Sequence, residues 1–296
     1  MQLLAYILIY PFLWLVSILP FKLLYAFSDV LYFFIYTVFG YRKTTVTANL
    51  KLVFPDKSAD ELNVIIKKFY HHLCDMMVEA IKSMTITEAE MKKRYTFTNV
   101  EVLTNFEAQK RSVIIMCGHY ASWEWIFILQ TYVSHKGFAV YKRLNNKYFD
   151  RLIKRIRARY NSYLITTKET ISTLKASHEN GELTITGFVA DQSPKLDKAY
   201  HWNSFMGITV PTHTGAEMIA KQLDMAVVFF DVRKIKRGYY QTTFKTIAEH
   251  PKTFKNYTIT DIFTAHVEAQ VMAAPEYYLW THKRWKHRNH VPKDYT

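Results

Sequence analysis

The stretch "VIIMCGHYASWEW" (Val113–Trp125) joins an apolar run to Gly118 and His119, and places Glu124 five residues beyond the histidine. Continuous apolar runs of this length are the mark of strands buried on both faces of an α/β sheet. In such sheets the ligand crevice lies outside the carboxyl ends of the strands, where Gly118 and His119 stand. Gly118 allows a sharp turn or a close approach of backbone. Ser122 is a suitable cap for a following helix over Trp123–Ser134, with Glu124 in its first turn. On one continuous helix, five residues would splay His119 and Glu124 apart. With His119 on the loop the two side chains are free to converge, as an imidazole and the carboxylate that fixes its tautomer. A structural histidine is the plainer alternative.

Working outward, strand-like and helix-like runs alternate. "KSADELNVIIKKFYHHLCDMMVEAIKSM" predicts a long amphipathic helix over Ser58–Met84. "GFAVYK", "SYLIT", "LTITGFVA", "MAVVFFDV" and "YYQTTFKTI" are strand-like. Helices are expected over Lys147–Tyr160, Ile171–His178, Thr212–Leu223 and Ile259–Ala273, and Thr214 and Glu217 have capping-box spacing. The alternation predicts an α/β fold, a central mixed sheet flanked by helices.

Ahead of it, Leu3–Leu19 carries no charge and Phe21–Phe39 only Lys22 and Asp29. The first run approaches the roughly 20 apolar residues that span hydrocarbon. The second is rich in Tyr and Phe, which favour the membrane interface. We expect residues 1–39 to be an anchor, a transmembrane plus an interfacial helix, and residues 40–296 to be one catalytic domain. Arg42, Lys43 and Lys51 follow at once, and the positive-inside rule puts that domain in the cytoplasm.

The formal charge of +14 points to anionic partners. Lys142–Arg159 contributes +7 of it and Lys283–Asp294 +4. In the first segment Arg151, Lys154, Arg155 and Arg159 recur at helical spacing opposite Leu152, Ile153 and Ile156, so one face packs and the other meets anions. Anionic headgroups, substrate phosphate or an acidic carrier protein all suit it. The anchor and the lack of a nucleic-acid-binding motif exclude nucleic acid. "HHLCD" (His71–Asp75) holds ligand-type residues, but adjacent helical histidines diverge, and no metal is expected. Cys117 suits a core thiol at a strand end better than a nucleophile. Trp123, Trp125 and Phe127 suit either an acyl tunnel or the core.

"HYASWE" has the His, four residues, then acid of glycerolipid and lipid A acyltransferases, and its surroundings resemble the lipid A late acyltransferase family. "RKTTVTANLKLVFPDKSADE", "KFYHHLCDMMVEAIK", "YKRLNNKYFDRLIKRIRARYNS", "GFVADQSP" and "PEYYLWTHKRWKHR" resemble successive segments of that family, in order across Arg42–Arg288. The resemblance implies a membrane-bound O-acyltransferase facing the cytoplasm from a bacterial inner membrane, with a glycerolipid acyltransferase-like fold. His119 would be the general base and Glu124 its orienting partner. Arg157 and Arg159 match the family's arginine pair, and Asp191 its third-block acid; Asp191 and Gln192 join the arginines as expected substrate-binding residues. Backbone N–H groups or Arg159 would offset the oxyanion. The donor would be acyl-carrier protein or acyl-CoA, as co-substrate with no cofactor, and the acceptor a lipid A precursor. Another glycolipid or an aminoacyl lipid as acceptor, a thioesterase, and a non-enzymatic binder of anionic lipid are the alternatives. "GFVADQSP" stands where the glycerol-phosphate branch has a Pro-Glu-Gly-Thr loop, which argues against glycerol phosphate or lysophosphatidate as acceptor.

Overall fold

In the computed structural model, which describes residues 1–295, helices α1 (Gln2–Ile18), α2 (Phe21–Tyr32) and α3 (Lys43–Val53) lead into the long α4 (Ala59–Lys82). A π-helical turn, Phe33–Val38, extends α2. Next come α5 (Glu88–Arg94), β1 (Tyr95–Phe97), α6 (Glu101–Ala108), β2 (Val113–Cys117), β3 (Lys136–Tyr141), α7 (Lys147–Ala158), β4 (Ser162–Thr166), α8 (Thr170–Glu179) and β5 (Thr184–Val189). The chain ends with the hairpin β6 (Trp202–Phe205) and β7 (Ile208–Pro211), then α9 (Gly215–Leu223), β8 (Ala226–Lys236), β9 (Tyr239–Ala248) and α10 (Thr258–Ala273).

Seven strands form one mixed sheet, ordered β1-β9-β8-β2-β5-β3-β4. The run from β8 to β4 is parallel, while β9 reverses against β8 and β1 runs with β9. β2 lies centrally and all five of its residues are buried, as its unbroken apolar run requires. β9 alternates, with Tyr240, Thr242 and Phe244 inward, the period-2 pattern of a strand with one covered face. The fold class is the expected one.

α4 begins with a full capping box. Glu61 N donates to Ser58 Oγ (3.3 Å) and Ser58 N to Glu61 Oε2 (2.8 Å), which satisfies two of the free amides at the helix start. The box expected at Thr214 and Glu217 is not made. Glu217 is fully buried and accepts from Tyr257 N (2.7 Å), Thr260 N (2.9 Å) and Thr260 Oγ1 (2.8 Å), so it caps α10 from a neighbouring helix. The helix expected over Trp123–Ser134 is a 3-10 helix over Glu124–Thr131, and Ser122 does not cap it. The short α5, β1, α6 and the β6–β7 hairpin add to the sequence reading.

Candidate active site

Sheet register builds the site. β2 and β5 are parallel neighbours with Cys117 opposite Val189, and Ala190 N continues the pairing to Cys117 O (3.1 Å). His119 and Asp191 each stand two residues past those ends, at matching levels. His119 Nδ1 lies 2.6 Å from Asp191 Oδ1. The Asp191 side chain is 3% exposed and that of His119 20%. Gly118 keeps the crossing tight, since a Cβ there would come within 3.2 Å of Val267 on α10 and 3.6 Å of Asp191 Cγ.

The carboxy-terminal segment clamps the His119 loop. Leu279 N donates to His119 O (3.0 Å) and Ala121 N to Tyr277 O (2.9 Å). Ala121 is held at φ +47°, a left-handed backbone that is unfavourable for a residue with a Cβ. Asn49 Nδ2 donates to the carbonyl oxygens of Trp280 and His282, both at 2.9 Å, so the early "TANLKLVFP" segment braces the brace. Trp123 meets the His119 ring edge-on at 5.1 Å.

Electrostatics follow from this burial. Burial pushes the Asp191 carboxyl up, but the charge of His119 and its hydrogen bond outweigh that and hold it below the usual 3.8. A carboxylate accepting Nδ1–H fixes the tautomer that leaves Nε2 as acceptor. The Gln192 side-chain nitrogen lies 3.2 Å from Nε2, placed to donate to that lone pair. His282, nearby, accepts from Ser193 N (3.3 Å), and burial lowers its pKa to about 4, which keeps it neutral.

Glu124 is placed otherwise than expected. Its oxygens accept from Arg157 Nη2 at 2.9 and 2.6 Å, and Arg157 also lies over the Phe127 ring at 4.8 Å. The carboxylate that holds His119 is therefore Asp191, and Glu124 is spoken for by a cation from α7. The reason is topological: the left-handed turn at Ala121 separates His119 from Glu124, while adjacent parallel strands carry His119 to Asp191. Asp191 and Gln192, expected to bind substrate, here contact His119.

Arg159 also departs from expectation. Nη1 donates to the carbonyl oxygens of Ser83 (3.0 Å) and Met84 (3.3 Å), and Nη2 to that of Ile86 (2.8 Å). It satisfies carbonyls at and just beyond the carboxyl end of α4, a place that favours a cation, and its fork is not turned toward the site.

Two apolar cavities flank Glu124. One, of about 160 Å³, is bounded by Ala80, Met91, Phe127, Ile153, Ile156 and Tyr160. The other, of about 220 Å³, lies among Leu73, Met76, Met77, Ser122, Trp123 and Leu279. Trp125 and Glu124 border both, and Trp123 carries the second up to the His119 ring. The tryptophans thus serve as core and as cavity wall. Cys117 is buried, which pushes its thiol well up, away from the thiolate that a nucleophile needs. His71 stacks on Tyr32 at 3.6 Å, and His72 Nδ1 faces Lys234 Nζ at 3.2 Å; among the described residues no cluster of His, Cys, Asp or Glu could hold a metal ion.

Residues 2–287 match the family described as bacterial lipid A biosynthesis acyltransferase. Among curated proteins, the chain is 25% identical over 289 residues to the lipid A biosynthesis lauroyltransferase of Escherichia coli K12, covering 96% of this chain and 92% of that protein. It is 24% identical over 248 residues to the E. coli K12 lipid A biosynthesis palmitoleoyltransferase and likewise to a lipid A biosynthesis acyltransferase of Shigella flexneri, covering 83% of this chain and 79% of each. The match runs from α1 through the segment that clamps His119, and the chain belongs to the bacterial lipid A biosynthesis acyltransferase family and is an acyltransferase.

Proposed function

We propose that this enzyme works at the cytoplasmic face of the inner membrane, moving a fatty acyl chain from acyl-carrier protein or acyl-CoA to a hydroxyl of a lipid A precursor, with His119 as general base. The observation that carries the reading is the 2.6 Å contact between His119 Nδ1 and buried Asp191, beside a cavity with apolar walls. In the reaction, Nε2 takes the proton of the acceptor hydroxyl as its oxygen attacks the thioester carbonyl. The tetrahedral oxyanion then collapses, the C–S bond breaks, and the thiolate recovers the proton from Nε2–H. Asp191 stabilises the imidazolium between these steps, and the water-poor setting strengthens that effect. Gln192 turns aside as the hydroxyl reaches Nε2, and its side-chain N–H is a fitting donor to the oxyanion.

The Glu124–Arg157 pair joins the 3-10 helix to α7 and forms a polar partition between two apolar cavities, as suits acyl chains. The exposed cations of α7, Arg151, Lys154 and Arg155 among them, favour an acidic carrier or anionic headgroups. The test is acyl transfer by purified enzyme given acyl-carrier-protein thioester, or the CoA thioester, and a lipid A precursor. The wild type should add one acyl mass to the lipid, and His119→Ala should lose the reaction by on the order of 10³-fold. An equally active alanine variant would rule out the base, and free fatty acid as sole product would point to hydrolysis.

A further inference from the structure

How the apolar segments meet a bilayer is legible in their packing. α1 is fastened to the catalytic domain at both ends. At its start, Gln2 Nε2 donates to Asn145 O (3.2 Å), Asn146 Nδ2 donates to Gln2 O (3.1 Å), and the Tyr6 ring lies 5.3 Å from that of Phe149. At its end, Lys82 Nζ donates to the carbonyl oxygens of Ser17 and Leu19, each at 2.8 Å. The first set of partners opens α7 and the second closes α4. A 17-residue helix is about 25 Å long, and its two ends rest on one folded unit.

α2 and the π turn run antiparallel along α4. Phe21 lies under Lys82, Tyr25 bonds Glu79 (2.9 Å) and Ser28 bonds Asp75 (2.8 Å). Tyr32 then stacks on His71, and Tyr36 meets Tyr70 at 5.1 Å. Asp29, midway, accepts from Arg237 (2.6 Å), which also bonds Asp75 (2.7 Å). Residues Phe21–Val38 have the length and composition to cross a membrane. Crossing would nevertheless draw Asp29, Asp75 and Arg237, with the carboxyl of Glu79, into hydrocarbon together with the flank of α4, and taking such groups out of water is strongly disfavoured. Away from α4 the segments present Leu4, Leu8, Leu15, Leu23, Phe33 and Phe34 as exposed side chains. Lys142, Arg143 and Lys147 are exposed beside the start of α1, where headgroups would lie.

We propose that neither segment spans: α1, α2 and the π turn lie side-on in the hydrocarbon of one leaflet, the one facing the catalytic domain, and no residue reaches the opposite surface. The occupant of this apolar face is the acyl region of a bilayer, with anionic headgroups at its basic rim. The inference rests on the membrane setting under Proposed function and replaces the expected spanning helix.

The experiment uses the full chain in sealed inner-membrane vesicles of both orientations, with a protease site fused before Met1 and, separately, Ile18→Cys probed by a membrane-impermeant maleimide. Side-on insertion predicts cleavage only from the face that bears the catalytic domain, and no labelling of position 18 from the other face. A single crossing would move the protease site to the other face; a spanning hairpin would return it but expose position 18 there. Either result overturns the proposal. In flotation with vesicles of phosphatidylethanolamine and phosphatidylglycerol, Leu8→Glu with Phe33→Glu should lower partitioning about tenfold or more, with circular dichroism unchanged; unchanged flotation would contradict it. Wild-type protein that never floats would sink the membrane reading itself, whereas floating protein with its amino terminus on the far side would sink only the side-on placement.

Discussion

The His119–Asp191 and Glu124–Arg157 pairs lie within one short stretch of chain and behave differently. The first sits at the ends of two strands in matching register, with Asp191 buried and His119 only partly exposed. The second bridges a 3-10 helix and α7, with the Glu124 side chain 38% exposed. An imidazole hydrogen-bonded to a buried carboxylate in a rigid frame sets protonation chemistry. A half-exposed pair is screened by water and contributes less by itself, and its use lies in holding two walls together. Five residues of sequence thus say less about which carboxylate serves His119 than 72 residues and a shared register do.

The sharpest way to break this contrast is Asp191→Asn. Without the carboxylate the imidazole loses both its tautomer and the charge that balances the imidazolium, and kcat should fall by on the order of 10²–10⁴, measured as initial rate of acyl transfer. Glu124→Gln should cost less, about tenfold, and Arg157→Ala should cost about the same as Glu124→Gln. Their double variant should be little worse than either, because they act through one contact. A loss with Glu124→Gln larger than with Asp191→Asn would invert the roles assigned to the two carboxylates.

A third prediction concerns protons. The Asp191 carboxyl is held low in the folded state, so its pairing stabilises the fold above the unfolded pKa and that stability is lost as pH falls through the folded value, below 3.8. Glu79 is the reverse case. Burial lifts it from 4.5 to about 7, even though Tyr25 and Tyr240 donate to its oxygens at 2.9 and 2.8 Å. The folded state therefore binds the extra proton, and stability drains away as pH rises from 4.5 to about 7, by about 3 kcal/mol at most. The difference in stability between wild type and Glu79→Gln, followed by thermal unfolding, should fall across that range, since buried histidines such as His282 titrate in both proteins and cancel in the difference. The smallest expected effect is Arg159→Ala, about 1–2 kcal/mol of stability from the freed carbonyls, with KM and kcat nearly unchanged. A large loss in KM instead would restore Arg159 as a substrate ligand.

Much of the frame was legible from residue patterns. The unbroken run at Val113–Met116 is a central strand because only a two-sided core suits it, and Ser58 with Glu61 caps α4 as its spacing implies. β1 was not legible: three residues hold as a strand only because β9 lies beside them. Glu217 misled for a similar reason, since capping spacing is local while its true partners, Tyr257 and Thr260, arrive from α10. The site was half legible. His119, Glu124, Arg157, Asp191 and Gln192 do gather at one end of the sheet, but who faces whom depends on the turn at Ala121. One signal was present: "MCGH" and "FVAD" each run two residues past an apolar strand end, and if those strands are parallel neighbours in step, His119 meets Asp191. The brace from Asn49 to Trp280 and His282 carried no such signal, being a side chain on backbone far away in sequence.

The geometry pairs the proton on His119 Nδ1 with Asp191 and not with Glu124. Nitrogen-15 NMR of histidine-labelled enzyme tests it most directly, by following the His119 Nδ1–H resonance in wild type, Asp191→Asn and Glu124→Gln. A strongly hydrogen-bonded Nδ1 proton should be present in the wild type, persist in Glu124→Gln and vanish or move upfield in Asp191→Asn. Its loss in Glu124→Gln with retention in Asp191→Asn would make Glu124, and not Asp191, the partner of His119.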